Sequence, residues 1–188
     1  MKILTPPVFK GYQLLDSGNG MRLEQFGKTT IVRPDASCIW QPSLNERIWQ
    51  QASLNCTKNN RGGGFTWQSA PNAAQEWTMP CSLNDRHDIS LIVRIGQSKN
   101  IGIFPEQAAH WQWMIERIRG AKTPPRILNL FAYTGAASIH AAAAGATVTH
   151  VDAASSAITW AKKNAELNAI TSIRWITEDC NTFVAREV

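Results

Sequence analysis

Apolar and polar residues alternate along the first stretch of the chain. Tyr12-Gln-Leu-Leu-Asp16, Met21-Arg-Leu-Glu-Gln-Phe26 and Thr29-Thr-Ile-Val-Arg33 are separated by Ser17-Gly-Asn-Gly20 and by Gly27-Lys28. Short alternating runs between glycine-containing turns predict a three-strand meander, with a leader over 1–10. Pro34-Asp35 ends it. Ser43-Leu-Asn-Glu46 has capping-box spacing and opens a short predicted helix carrying Ile48, Trp49 and Ala52. Gly62-Gly-Gly64 breaks the chain again, and the stretch from Phe65 to Ile95 reads as loop-rich. At its end, Ile89, Leu91, Val93 and Ile95 alternate with polar residues or arginine and predict a half-buried strand. Gln97 to Asn100 turns that strand into Ile101-Gly-Ile-Phe104. Residues 1–104 therefore read as a mostly β region with short helical insertions.

At Pro105 the period lengthens. Ala108, Trp111, Ile115 and Ile118 share one face of a helix predicted over 105–119, with Pro105 in its first turn and Arg117 and Arg119 in its last. Gly120 and the stiff Thr123-Pro-Pro125 complete a linker over 105–125. From Arg126 the pattern changes to short, continuous apolar runs joined by helices. Ile127 to Phe131 reads as a buried parallel strand, and Gly135 turns it into an alanine-rich helix that Gly145 closes. Thr147 to Val151 is the second strand and ends in Asp152, 17 residues after Gly135. Ser155 is placed to cap a helix reaching about Asn168, with Ile158, Ala161 and Ala165 facing inward. Ile173 to Thr177 is the third strand, followed by Glu178-Asp179-Cys180 and the start of another helix. The fold class is α/β: residues 126–188 supply the first three parallel strands of a Rossmann-like sheet, behind the β-rich region.

Acids at the tips of two adjacent parallel strands suit a nucleoside lying across the sheet. Asp152 is placed to accept from ribose hydroxyls. Asp179 is placed to accept from an exocyclic amino group such as that of adenine, with the Cys180 amide pointing at the ring. The turn Phe131-Ala-Tyr-Thr-Gly135 has one glycine and two large rings. A dinucleotide turn needs Gly-x-Gly-x-x-Gly so that backbone can approach a pyrophosphate. Phe131 and Tyr133 would block a pyrophosphate and leave room for a smaller, zwitterionic tail next to Thr134 and Gly135. Phe104 and Gln107, at the start of the linker helix, are within reach of the same ligand.

Composition narrows the class. The chain has 188 residues, 44% of them apolar and 18% charged, which suits a soluble globular protein. No apolar run is long enough to span a membrane, and the start lacks a signal-peptide core. Four cysteines, at 38, 56, 81 and 180, are too scattered for a metal site and read as free thiols in a cytoplasmic protein. A net charge of +5 permits a nucleic-acid partner, although the basic residues are scattered. Eight tryptophans read first as packing; exposed ones beside Arg33, Arg61, Arg86 or Arg94 would be platforms for bases.

Asn129-Leu-Phe-Ala-Tyr-Thr-Gly135, Asp152, the helix around Trp160-Ala-Lys-Lys-Asn164 and Glu178-Asp179 together resemble the class I S-adenosylmethionine-dependent methyltransferases of the large-subunit ribosomal RNA group. Gly102-Ile-Phe-Pro-Glu-Gln107 resembles that group's segment bordering the cofactor pocket, and Tyr12 to Pro34 a branch with a small β-rich N-terminal region. The resemblance implies S-adenosylmethionine as cofactor and RNA, ribosomal above all, as substrate. It implies cofactor roles for Phe104, Gln107, Phe131, Tyr133, Thr134, Gly135, Asp152, Asp179 and Cys180, with no metal and no membrane. Members of the group carry an Asp-Pro-Pro loop facing the target base, and no Asp-Pro-Pro occurs here. The chain thus reads as the N-terminal portion of such an enzyme, with no catalytic residue to assign. The alternatives are a non-catalytic remnant that binds cofactor or RNA, and, ranked last, a nicotinamide-dependent enzyme.

Overall fold

Two units build the fold in a computed structural model that describes residues 10–59, 63–83 and 88–187. Residues 1–9 of the expected leader over 1–10, Arg61 and Arg86, named beside candidate base-stacking rings, and Gly62 lie outside those residues. One unit comprises Val8–Cys81 with Val93–Ile101; the other is built on Ser82–Ile92 and Gly102–Val188.

In the first unit the meander forms as its alternation predicts. Strands β1 (Tyr12–Gly18), β2 (Met21–Phe26) and β3 (Thr29–Pro34) pair antiparallel, with Phe26 and Ile31 buried on one face and Leu23 and Val32 on the other. The stretch predicted to be loop-rich is more regular. β4 (Leu54–Lys58) joins β3 in parallel, and β5 (Phe65–Ser69) pairs antiparallel with β4, giving a five-stranded sheet in the order β1-β2-β3-β4-β5. Only Leu54 and Cys56 of β4 turn fully inward, so a five-residue strand with a polar outer face left too weak a period to read. β6 (Glu76–Pro80) belongs to this unit, β7 (Ser90–Arg94) begins in the second unit with Ser90–Ile92, and Ile101 to Phe104 is not a strand.

Two carboxylates organise this unit. Glu24 is fully buried and takes both Arg33 Nε at 2.5 Å and Arg33 Nη2 at 3.0 Å, while the Tyr12 hydroxyl donates to it at 3.1 Å. Arg33 is therefore committed to an interior ion pair. Asp16 accepts from the amides of Ser43 and Leu44 and from the Trp49 indole, which fixes the loop leading into α1 (Glu46–Gln50). The cap of α1 is Asn45, accepting from Arg47 N–H, and not the predicted Ser43; α1 buries no residue. Asn45, two residues after Ser43, takes the capping role by accepting a first-turn amide.

In the second unit a short 3-10 turn, Pro105–Gln107, leads into α2 (Ala108–Gly120), which buries Ala108, Trp111, Ile115 and Ile118 as its periodicity predicts. Strands β8 (Arg126–Leu130), β9 (Thr147–Asp152) and β10 (Ile173–Thr177) form a parallel sheet in the order β10-β9-β8. Crossover helices α3 (Ala136–Ala143) and α4 (Ser155–Leu167) connect them, and α5 (Cys180–Glu187) follows β10. Gly145, at φ 107°, ends α3 as predicted, donating to the Ala142 carbonyl. The cap of α4 is Ala154 without a side-chain bond; the predicted cap Ser155 is instead the first helical residue. Among the described residues β8 pairs only with β9, and Leu128 on it is half exposed.

Candidate functional site

Parallel pairing puts three strand ends at one edge of the second unit's sheet. Leu130 lies beside Val151, and Asp152 lies beside Thr177, so Phe131, Asp152 and Glu178 leave the sheet together. The chain after β8 is an unusual turn. Phe131 (φ 52°), Tyr133 (φ 53°) and Gly135 (φ 88°) all adopt the left-handed region, which costs the two aromatic residues of order 1–3 kcal/mol each.

Side chains from the neighbouring strands hold that turn. The Phe131 amide donates to Cys180 Sγ at 3.1 Å, and the Tyr133 amide donates to Asp152 Oδ2 at 2.8 Å. Asp152 Oδ1 accepts from the Ala154 amide at 2.9 Å, which fixes the start of α4. Each carboxylate oxygen has two acceptor positions, so Asp152 retains capacity for further donors while serving both turns. Thr134 is buried; its hydroxyl donates to the Gly102 carbonyl and its own carbonyl accepts from Asn164 Nδ2 at 3.0 Å.

Between the turn and the Gly102–Gln107 segment lies a cavity of about 420 Å³. Its walls include Phe104, Gln107, Trp111, Asn129, Phe131 and Tyr133, with Thr134 behind them and the first turn of α3 at one end. Phe104 and Tyr133 rings meet at 5.6 Å between centroids, and Phe131 is 71% exposed at the strand tips. Among the described residues no lysine or arginine lines the cavity. Its polar groups are the Asn129 and Gln107 amides and the first-turn N–H groups of α3, which a helix leaves without internal acceptors.

Of the nine residues predicted for the site, the cavity brings together Phe104, Gln107, Phe131, Tyr133 and Thr134. Gly135, Asp152, Asp179 and Cys180 are not in its lining. Gly135 is the left-handed cap of α3, and an added Cβ there would stand 3.0 Å from that of Ala161. Asp179 is exposed, and its Oδ1 accepts from the amides of Asn181 and Thr182. It caps α5 while facing solvent. The Cys180 side chain is buried with Val151 and Phe183.

Sequence reasoning missed the groups behind the wall. Asn129, a cavity residue, donates to Ser138 Oγ at 2.9 Å, which sits 3.0 Å from His150 Nδ1. His150 is fully buried, and burial pushes its imidazole down to about 4, so it is neutral at physiological pH. Gly102 was read only as part of a motif. At φ 99°, a Cβ on it would meet Trp160 Cζ2 at 2.3 Å, so the ring seats directly on the glycine. The one sequence signal for this pairing was a glycine next to apolar residues at a place where no tight turn is needed. Among the described residues no group of His, Cys, Asp or Glu is arranged to hold a metal, and no helix is long and apolar enough to cross a membrane.

No protein-family model matches the chain. It is 41% identical over 88 residues to the ribosomal RNA large subunit methyltransferase K/L of Magnetococcus marinus, a match covering 45% of this chain and 12% of that protein. It is 37% identical over 87 residues to the protein of the same name from Hahella chejuensis, covering 46% of this chain and 12% of that one. The chain thus matches only a small part of the length of these relatives. The crystal structure of the SAM-dependent methyltransferase from Agrobacterium tumefaciens is 41% identical, with a TM-score of 0.87, covering 96% of this chain and 56% of that one. These likenesses bear out the resemblance read from the turn and the acids: the chain is similar to S-adenosylmethionine-dependent methyltransferases and shares their Rossmann-like fold behind a β-rich N-terminal region.

Proposed function

We propose that this chain binds S-adenosylmethionine and belongs to an enzyme that methylates a base in RNA, ribosomal RNA being the favoured substrate. The observation that carries the reading is the composition of the cavity. Among the described residues it has aromatic walls, amides at one end and no cation, and its wall residue Tyr133 donates its amide to Asp152 at the strand tip. A pyrophosphate brings two negative charges and finds no basic partner there, which disfavours a nicotinamide dinucleotide. A methionine tail brings one carboxylate and two cationic centres, and these match a helix N-terminus and aromatic faces respectively.

When bound, S-adenosylmethionine supplies an electrophilic methyl group on a sulfonium. This chain's residues hold and orient it. The first-turn amides of α3 take the amino-acid carboxylate, with Gly135 setting the left-handed approach that exposes them. Phe104, Tyr133 and Phe131 exclude water from the sulfonium region, and Gln107 closes one side. Asp152 accepts from the ribose hydroxyls with the acceptor positions not used by Tyr133 and Ala154. Asp179 accepts from the adenine amino group beside the Cys180 amide. Alignment and exclusion of water are the protein's contribution to such a transfer. A ribosomal RNA substrate accords with a cytoplasmic protein.

Calorimetric titration tests the reading. S-adenosylhomocysteine is expected to bind, and NADH is expected not to; preference for NADH overturns the cofactor assignment. Asp152→Ala is expected to weaken S-adenosylhomocysteine by about 1–3 kcal/mol, because hydrogen bonds to a charged group are lost. An unchanged affinity removes Asp152 from the site. A methyl-transfer assay on ribosomal RNA then separates an active enzyme from a cofactor-binding remnant.

A further inference from the structure

Two side chains of α4 and that of its C-cap Asn168 substitute for a neighbouring strand along β7. Trp160 Nε1 donates to the Ile92 carbonyl at 2.9 Å, and Asn164 Oδ1 accepts from the Ile92 amide at 2.8 Å. Asn168 Oδ1 accepts from the Ser90 amide at 2.9 Å, and Asn168 Nδ2 donates to the Ser90 carbonyl at 2.7 Å. Residues at 160, 164 and 168 recur every four positions and so line one stripe of the helix. Ser90 and Ile92 are two apart on β7, so their main-chain groups point the same way. The stripe thereby satisfies both N–H and both C=O groups on that flank of the strand.

The middle rung does more. Asn164 is fully buried, and its Nδ2 donates to the Thr134 carbonyl at 3.0 Å, inside the turn that walls the cavity. One amide side chain therefore joins β7, α4 and the turn. Its acceptor is used by Ile92 and one donor by Thr134. Thr134 is held from its other side by the bond from its hydroxyl to Gly102. Asn168 serves β7 as well, and its contacts stop short of the turn.

We infer that Asn164 is a positioning residue for the ligand turn, holding Tyr133–Gly135 in its left-handed shape by tying the Thr134 carbonyl to strand β7. The ligand side of this inference rests on the methyl-donor reading above; the turn side rests on geometry alone. Asn164→Asp keeps the acceptor for Ile92 and replaces the donor to Thr134 by a second acceptor. Asn168→Ala breaks the adjacent rung and leaves the turn untouched. Both variants are expected to lower the melting temperature.

The discriminating measurements are S-adenosylhomocysteine affinity in the folded protein and amide exchange at Tyr133 and Gly135 without ligand. Asn164→Asp is expected to weaken S-adenosylhomocysteine at least tenfold and to speed exchange of those two amides, while Asn168→Ala changes affinity less than twofold and leaves them protected. Should Asn164→Asp fail to fold, the neutral Asn164→Ser replaces it with the same expectation. Affinity within twofold of the unaltered chain, or unchanged exchange at the turn, overturns the inference. If the unaltered chain binds no S-adenosylhomocysteine, the methyl-donor reading fails, and exchange at Tyr133 and Gly135 decides the role of Asn164.

Discussion

Replacing Gly102 by alanine tests how tightly the segment ahead of α2 is seated. Two costs apply. The residue sits at φ 99°, a conformation that charges an L-residue of order 1–3 kcal/mol. Its new methyl group would stand 2.3 Å from Trp160 Cζ2 and 2.6 Å from Cη2, far inside contact distance. The ring has little freedom to yield, because it is 9% exposed and its Nε1 is bonded to the Ile92 carbonyl at 2.9 Å. Overpacking of this kind costs typically about 1–3 kcal/mol, so Gly102→Ala is expected to destabilise by roughly 2–6 kcal/mol, a large part of a typical domain's stability. Chemical denaturation followed by tryptophan fluorescence measures it. Gly120→Ala serves as the control: nothing lies within 4 Å of a Cβ there, and the glycine ends a helix, so a neutral or mildly stabilising effect is expected. A loss below about 1 kcal/mol for Gly102→Ala refutes the argument, since it would mean that the indole moves freely.

Acid should weaken the second unit: burial drives His140 and His150 from 6.5 down to about 4, so the unfolded chain binds protons in that window that the folded chain does not. Stability is then intact above about pH 6.5 and falls towards pH 4 by on the order of 3 kcal/mol per histidine; a denaturation midpoint that does not move between pH 7.5 and 5 contradicts this. In the first unit, Arg33→Met strands the buried Glu24 carboxylate and is expected to cost about 3–5 kcal/mol. The double change Glu24→Gln with Arg33→Met should recover part of that loss in a double-mutant cycle, and additive losses would show that the pair is not coupled.

The parallel half of the fold was legible because its signals are local. Ile127 to Leu130 and Val148 to Val151 are short strand-like segments bounded by turn residues; Val148 and Val151 are buried as expected, whereas β8, predicted to be buried, has no fully buried residue. The aromatic turn was legible for the same reason: five consecutive residues carry it. β4 to β6 were not, because Asn55, Thr57, Glu76 and Thr78 occupy outward positions on strands only five residues long. The arrangement behind the cavity was invisible for another reason. Asn164 meets Ile92 across 72 residues and Thr134 across 30, and a single polar residue on a helix leaves no periodic trace of a distant partner. Asp152 was read as facing a ligand; it also accepts from Tyr133 and Ala154, a use that only the folded register reveals.

The bond from the Phe131 amide to Cys180 spans 49 residues, and the one from Tyr133 to Asp152 spans 19. A nascent chain that has emerged only through α4 already contains every residue of the aromatic turn, yet lacks its Cys180 anchor. The wall facing the ligand is therefore finished from downstream, when Cys180 arrives beneath it. Loosening α5 alone would let Phe131 relax out of its costly conformation and unshape the pocket, without altering a single residue that lines it.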